Sequence, residues 1–584
     1  VRDDGGRDRG EGGCVSGFEP QIRALKRVVR KVIPVQVDQP RWAELLGDGL
    51  AAFHARIAAL PADAPRVLMA PSVGHPTMTT LDSLLAVALT LRGARVDVLL
   101  CDEVLPACQN CLLGKLQDEW VVNEFIPHGP SREICRSCYS PAEKMFRELG
   151  ITVRRYGDFL EPAEIEQAWR LARTLSPKEI VEYVVDGLPI GEHARAGAIR
   201  FFARTSLDRE PHGDAVLRRY FAAALITRAS VDRLLTTHRY RSATFNHGIY
   251  VPQGIVGAVA RHRGVRVVNW IQSYRKNSFI FSHGDTYHHT LMSEPVESWL
   301  DLEWDAEIET ELLAYLKSRW TGAEDWISFN RAPETELAAI TASTGIDLTK
   351  PSIGLLTNVM WDAQLHYPQN AFTDMWEWLV TTIRYFEGRP DLQLIIRVHP
   401  AELRGHIQSR QPVAEELRRE MGTLPPNVHV IPPDSPVSTY AVMAQCDSVL
   451  IYGTKTGVEL TSFGIPVIVA GEAWIRNKGI TIDAQSREHY LELLAGLPMH
   501  RPLDAATIRR AKKYAYHFFF RRMIPLGVVK PTEGKSWAAY AVDVSSLDQL
   551  EAGRDAGLDT ICDGILNGDD FIYRAEQLRA AAAC

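Results

Sequence analysis

Two short runs carry residue types that could hold an anion. Ile395-Ile396-Arg397-Val398-His399-Pro400 reads as a buried strand ending in a basic, polar turn. Tyr452-Gly453-Thr454-Lys455-Thr456-Gly457-Val458-Glu459 reads as a second strand end, a glycine and hydroxyl turn, and a helix start. Arginine offers a planar, permanently charged fork for phosphate. Histidine adds a donor whose protonation responds to a bound phosphate. Small residues let a phosphate approach the backbone, and free N–H groups in turns and at helix N-termini favour negative charge. Thr454 or Thr456 can cap the helix that follows. Glu459, in its first turn, could accept ribose hydroxyls or simply favour the helix dipole. Blander readings stand beside these, with Arg397 paired to a carboxylate and His399 capping a turn. The glycine turn is not a Walker A motif, because the four-residue spacing before Gly-Lys is absent.

The strongest spacing signal lies elsewhere. Cys108-x2-Cys111 and Cys135-x2-Cys138 are two C-x-x-C pairs with 23 residues between them. Each pair can present two thiolates from a tight turn, and two pairs complete a tetrahedral, structural zinc site. An iron–sulfur cluster is the rival use of four thiolates. Cys101 and His128 are spare ligands, and unliganded thiols are the bland alternative. The run Ser282–His289 holds His283, His288 and His289 near Asp285, but its spacing is unlike common zinc motifs and reads as a solvated polar loop.

The elements that must position these residues follow from length and pattern. A chain of 584 residues is too long for one core. Hydrophobic content of 46% and charged content of 23% are ordinary for globular protein. The net charge of -7 argues against general nucleic-acid binding. No apolar run is long enough for a membrane span. No secretory pattern is visible, so the chain is expected to be cytoplasmic. Residues 1–20, rich in Gly, Arg and Asp, read as a disordered tail.

Strand and helix signals alternate from Arg66 to Ile271, and again from Ser352 to Ala470. That is the pattern of doubly wound parallel sheets, whose ligands sit beyond the carboxyl ends of the strands. The expected plan is an α/β domain over 21–300 with a cysteine-rich, metal-binding insert at 101–138. A helical connector over 301–345 and a second α/β domain over 346–500 follow. Residues 501–584 hold a last helix, Ala505–Phe520, and a tail.

The runs Leu355–Ala363 and Ile396–Glu402, with Gly453–Glu459, Phe463–Val467 and Ala511–Phe520, resemble the capsule polysaccharide biosynthesis family. The likeness covers about residues 350–525. The His-Pro pair and the hydroxyl turn are also similar to those of bacterial sialyltransferases and Kdo transferases. The resemblance implies a GT-B fold, two Rossmann-like domains facing a cleft. It implies a donor-nucleotide site on Arg397, His399, Gly453, Thr454, Lys455, Thr456, Gly457 and Glu459. His399 would meet the donor phosphate and Glu459 the ribose or base. Lys455 stands where two adjacent serines are commoner, so a diphosphate donor rivals a CMP-sugar. The base that activates the acceptor would come from the first domain, with His75 and His247 at its polar strand ends and Asp82, Asp285 and Asp362 as alternatives. The last helix would cross back onto the first domain, although its basic and aromatic residues would also suit contact with the inner membrane or a glycan-export assembly.

The chain is thus expected to be a glycosyltransferase moving a sugar from a nucleotide donor, CMP-sugar before UDP-sugar, to a surface or capsular glycan. Sugar-nucleotide epimerase and non-catalytic zinc-stapled scaffold are the competing functions.

Overall fold

The computed structural model describes residues 38–113, 125–130, 132–320, 324–326, 333–363, 365, 367–532 and 539–583. The expected tail at 1–20 lies outside them. The first sheet holds β1 (Arg66–Ser72), β2 (Arg95–Leu100), β3 (Thr152–Arg155), β4 (Ser242–Asn246), β5 (Arg266–Gln272) and β6 (Ser278–His283). The second holds β7 (Ser352–Leu356), β8 (Gln393–Arg397), β9 (Val428–Ile431), β10 (Ser448–Ile451), β11 (Val467–Val469) and β12 (Ile482–Asp483). A two-residue strand, β13 (Ile524–Pro525), returns to the edge of the first sheet, beside β6.

The sheet orders are β13-β6-β5-β4-β1-β2-β3 and β12-β11-β10-β7-β8-β9. Pairing is parallel throughout the second sheet; in the first only β5–β6 and β6–β13 run antiparallel. Chain order reverses between β1 and β4 in one sheet and between β7 and β10 in the other. These are the switch points where a doubly wound sheet opens a crevice beyond its strand ends. Strands such as β7 and β8 are buried along their whole length, as sheets covered by helices on both faces require.

Local sequence explains how the strand ends hand over to helices. After β1, His75 caps the helix Pro76–Leu91, its Nδ1 accepting from the Thr77 N–H, with Pro76 at the first helical position. Gly74 is required there, because a Cβ would lie 1.9 Å from the Cys138 carbonyl oxygen. After β4, His247 takes φ +67° and Gly248 φ +77°. A left-handed histidine costs free energy, and such strain tends to collect at functional turns.

The last helix is not one regular rod to Phe520. It runs Ala505–Tyr516 and continues as a π turn, His517–Arg521. Tyr514, Tyr516 and Phe518–Phe520 are all buried, so its aromatic face packs inward instead of meeting a membrane surface. They join one core with Ile280 and Leu291 of the first lobe and Val449 and Ile475 of the second. Among the described residues no helix is long and apolar enough to cross a membrane.

An ion cluster pins this crossing. Glu294 lies 3.1 Å from His517 and 3.5 Å from Arg522. Burial alone would raise its carboxyl, but Arg522 and then His517 outweigh burial and hold it at about 2. A carboxyl depressed from about 4.3 in the unfolded chain stabilises the fold at neutral pH, and that stability is lost as pH falls toward about 2. Glu294→Gln leaves the buried Arg522 cation without its anion. It should lower stability by about 3 kcal/mol in urea unfolding at pH 7, and by less at pH 3. An equal loss at both pH values would refute the ionic role.

Candidate active site

The carboxyl ends of both sheets face one cleft of 920 Å³. From the first lobe it is lined by His75 after β1, Asn246 and His247 after β4, and Gln272–Tyr274 after β5. From the second come Thr357–Asn358 after β7, His399–Ala401 after β8, Gly453–Thr456 after β10, and Glu472 and Trp474 after β11. His75, His247, Arg397, His399, Gly453, Thr454, Lys455 and Thr456 therefore share one wall system, while Gly457 and Glu459 lie behind it.

The turn after β10 presents hydroxyls. Thr454 and Thr456 Oγ1 atoms are 3.4 Å apart, and Thr454 Oγ1 is 3.5 Å from the Thr456 N–H. The N-cap residue of the helix Thr456–Ser462, Lys455, makes no side-chain cap bond, and Thr454 makes only a long contact to the first helical N–H. Gly453 leaves the backbone open at the cleft. Gly457 serves packing, since a Cβ there would meet Ile451 Cδ1 at 2.8 Å.

His399 is held in a defined tautomer. Its Nδ1 accepts the Ala401 N–H at 3.0 Å, so the neutral ring carries its proton on Nε2. Burial, then the Lys455 and Arg397 cations, push its pKa down to about 4. At pH 7 it is a neutral donor, and a bound anion would pull the pKa up again.

Three residues expected at the donor site are engaged elsewhere. Glu459 is fully buried, 3.1 Å from Lys455 Nζ and 3.1 Å from Arg319 Nε. Burial raises its carboxyl, but Arg319 and then Lys455 bring it below the usual range. Lys455 also lies 4.5 Å from the Tyr274 ring centre. Arg397 is 2% exposed and donates to Pro432 O, to Ser435 O at 3.2 Å and to Thr439 Oγ1 at 3.3 Å. Its fork braces the turn after β9 instead of opening into the cleft.

On the facing wall, burial and then Arg200 depress His247 to about 3. His75 Nδ1 lies 2.6 Å from the Thr77 hydroxyl. His288 also lines the cleft, stacked 5.5 Å from Trp474, and burial and then His247 hold it at about 3. The polar loop expected at Ser282–His289 thus divides. His289 pairs with Asp285 at 2.9 Å and His283 meets Asp569 O at 2.8 Å, while His288 enters the cleft. Asp285 is thereby committed to His289. Asp82 is fully buried under Trp270, whose Nε1 donates to it at 3.1 Å, and does not reach the cleft. Asp362 does, accepting the Tyr250 OH at 2.7 Å across the lobes.

The cysteines do not form the expected closed metal site. Cys108 and Cys111 Sγ atoms are 3.9 Å apart, a separation that two ligands of one ion could have. Cys135 and Cys138 instead lie on the helix Arg132–Glu148, not in a tight turn. Cys138 Sγ accepts the Gly74 N–H at 2.8 Å. Among the described residues no three His, Cys, Asp or Glu side chains converge on an ion position. The four-thiolate zinc staple is therefore not shown, although Cys101, Cys108, Cys111, Cys135 and Cys138 lie near enough for their charges to act on one another, and burial pushes Cys138 up to about 12.

Fold and cleft define a two-lobed α/β protein with a glycine- and hydroxyl-rich turn facing the cleft from its second lobe. Residues 358–513 match the profile of the capsule polysaccharide biosynthesis protein family, which bears out the resemblance read from the His-Pro and hydroxyl turns. No curated protein matches the chain. Solved structures similar to it include the KpsC beta Kdo 2,4 transferase of Thermosulfurimonas dismutans, at 13% identity and TM-score 0.32, over 47% of this chain and 79% of that one. The beta Kdo 2,7 transferase of the same organism matches at 12% and 0.28, over 55% and 88%. A UDP-GlcNAc 2-epimerase from Neisseria meningitidis matches at 10% and 0.25, over 77% and 98%.

If Glu459 orders the turn through Arg319 and Lys455, Glu459→Gln should lower the urea midpoint, with a loss of about 3 kcal/mol. It should also weaken nucleotide binding in calorimetry. Retained stability and affinity would show the cluster to be dispensable.

Proposed function

We propose that this chain is a glycosyltransferase that transfers a sugar from a nucleotide-activated donor to a glycan acceptor, as a step in capsule or surface polysaccharide synthesis. The observation that carries the reading is the facing of two switch points. A hydroxyl turn with a neutral, tautomer-fixed histidine on one lobe meets neutral histidines on the other. The family match over the second lobe supports it.

The donor phosphate would lie against Gly453, Thr454 and Thr456, accepting from backbone N–H groups, from the hydroxyls and from His399 Nε2–H. Arg397, Lys455, Gly457 and Glu459 act behind it as positioning residues. Because Lys455 gives its charge to Glu459, the turn has no spare cation for a second phosphate. This favours a CMP-sugar over a UDP-sugar. The acceptor hydroxyl oxygen bonds to the anomeric carbon as the bond from that carbon to the phosphate oxygen breaks. The electron pair stays on the phosphate, where the donors stabilise it. The acceptor proton passes to an imidazole of the first lobe. His247 suits this task better than His75, whose Nδ1 already caps a helix. Positioning in a closed cleft supplies much of the remaining rate.

A screen of CMP-, UDP- and GDP-sugars for nucleotide release tests the class and the nucleotide together. Release from CMP-sugars is expected; binding without turnover of any donor would leave a scaffold. His399→Ala should cut kcat/KM by roughly a hundredfold without moving the melting temperature. Unchanged turnover would remove His399 from the mechanism.

The pH profile gives a separate check. An ordinary imidazole base near 6.5 would lose activity between pH 7 and 5.5. With His247 held near 3 it stays in its base form throughout, so kcat should be flat over that range. A fall centred near 6.5 would point to a different base.

A further inference from the structure

Five of the chain's nine cysteines fall between Cys101 and Cys138, and the proposed transfer reaction uses none of them. They gather behind the first-lobe wall of the cleft. A charge on Cys108 acts on each of Cys101, Cys111, Cys135 and Cys138.

The first pair sits on a rigid turn. Cys108 and Cys111 Sγ atoms are 3.9 Å apart. Two sulfurs held about 2.3 Å from one ion at a tetrahedral angle stand about 3.8 Å apart. The Cys111 N–H donates to the Cys108 carbonyl at 3.0 Å, which closes the turn. The Tyr220 OH reaches Cys108 O at 3.1 Å and Cys111 O at 3.2 Å, and Arg200 donates to Gln109 O between them at 2.6 Å. The turn is fixed through its backbone, so the sulfurs need not hold it.

The second pair lies on the helix Arg132–Glu148, where residues three apart share one face. From inside the first turn, Asn110 Nδ2 donates to Cys138 Sγ at 3.7 Å, and the same sulfur accepts the Gly74 N–H at 2.8 Å. Amide donors around a ligating sulfur orient it and steady its charge. Among the described residues no three of these sulfurs meet at one ion position. Pro141 has no N–H for the Ser137 carbonyl, so the turn that carries Cys135 and Cys138 is tied less tightly to the rest of its helix. That turn is the part a cation can draw in.

We propose that Cys108, Cys111, Cys135 and Cys138 hold one structural zinc ion that clamps the first-lobe wall of the cleft. Each thiol gives its proton to solvent as its sulfur bonds the metal, so the site needs no oxidant. Four thiolates leave no open coordination position, and the ion takes no part in sugar transfer. Its effect on the cleft is mechanical. Gln109 and Asn110 lie between the first two ligands, and His75 follows the Gly74 N–H that Cys138 holds; all three line the cleft. One ion thus locks the turn after β1 to the loop after β2. The inference does not depend on the transferase reading.

The test is elemental analysis of the full chain purified without chelator, with zinc and iron counted per chain. Wild type should carry about one zinc, and Cys111→Ser and Cys135→Ser below about 0.1, while Cys446→Ser in the second lobe keeps the wild-type content. Cobalt added to metal-depleted wild type carries the test if the serine variants do not fold. It should give the visible bands of a tetrahedral thiolate site, and one equivalent of zinc should abolish them. Hydrogen exchange reads the clamp. Removing zinc should speed exchange at Gly74–Thr77 and Cys108–Cys111 and leave the helix Thr456–Ser462 unchanged. Three results would overturn the proposal: no zinc together with no cobalt bands, iron and labile sulfide in place of zinc, or zinc retained in both serine variants. Exchange unchanged at both segments would overturn the clamp.

Discussion

Glu459 is the interaction on which the cleft depends. A fully buried carboxylate takes a lysine from the hydroxyl turn after β10 and an arginine from the connector. Removing a carboxylate and two cations from water is costly, and a cluster with good geometry only offsets that cost. Its contribution is therefore register. Arg319 follows the helix Ala306–Ser318, which belongs to neither sheet, and reaches the turn only if connector and second lobe are correctly seated. The hydroxyls of Thr454 and Thr456 then face the cleft because the charged residues between and after them are turned inward.

The same logic decides the state of the histidines. Cations close to His399 and His247, together with burial, keep both rings neutral. A neutral ring with Nδ1 fixed donates from Nε2, which suits an anion without first competing for it as a charged group. Burial thus leaves His399 a neutral hydrogen-bond donor beside the hydroxyl turn. On the facing wall Arg200 keeps a permanent charge, held by the Gln109 carbonyl and the Tyr250 ring.

Much of this was legible in the amino-acid order. The alternation from Ser352 to Ala470 shows a parallel sheet because its strands are continuous apolar runs and its loops are short. The turns at Arg397–Pro400 and Gly453–Thr456 were legible as strand ends for the same reason. What was hidden depends on distant partners. Nothing near Glu459 reveals that Arg319 will neutralise it, or that carbonyls of Pro432 and Ser435 will occupy Arg397. The helix Ile190–Phe202 has no clear polar face because it is buried almost all round, so Arg200 drew no attention. The C-x-x-C spacing alone does not fix a geometry, because residues three apart are neighbours on a helix as well as in a metal turn, and Cys135 and Cys138 lie on a helix.

The two lobes are joined by contacts of unequal strength. Around Glu294 a buried ion cluster and the aromatic π turn His517–Arg521 merge both lobes into one core. On the other rim Tyr250 and Asp362 share a hydrogen bond beside an exposed carboxylate. A bond of that kind is worth about 1 kcal/mol, whereas breaking a buried pair costs about 3–5 kcal/mol. That rim is also joined by Thr205 and Gln411 and by the ion pairs Arg410–Glu210 and Arg209–Glu416, so it is held by several smaller polar contacts and the Glu294 side by one buried cluster. Because Arg200 stacks on Tyr250, that rim is also where the charge on the acceptor side is held.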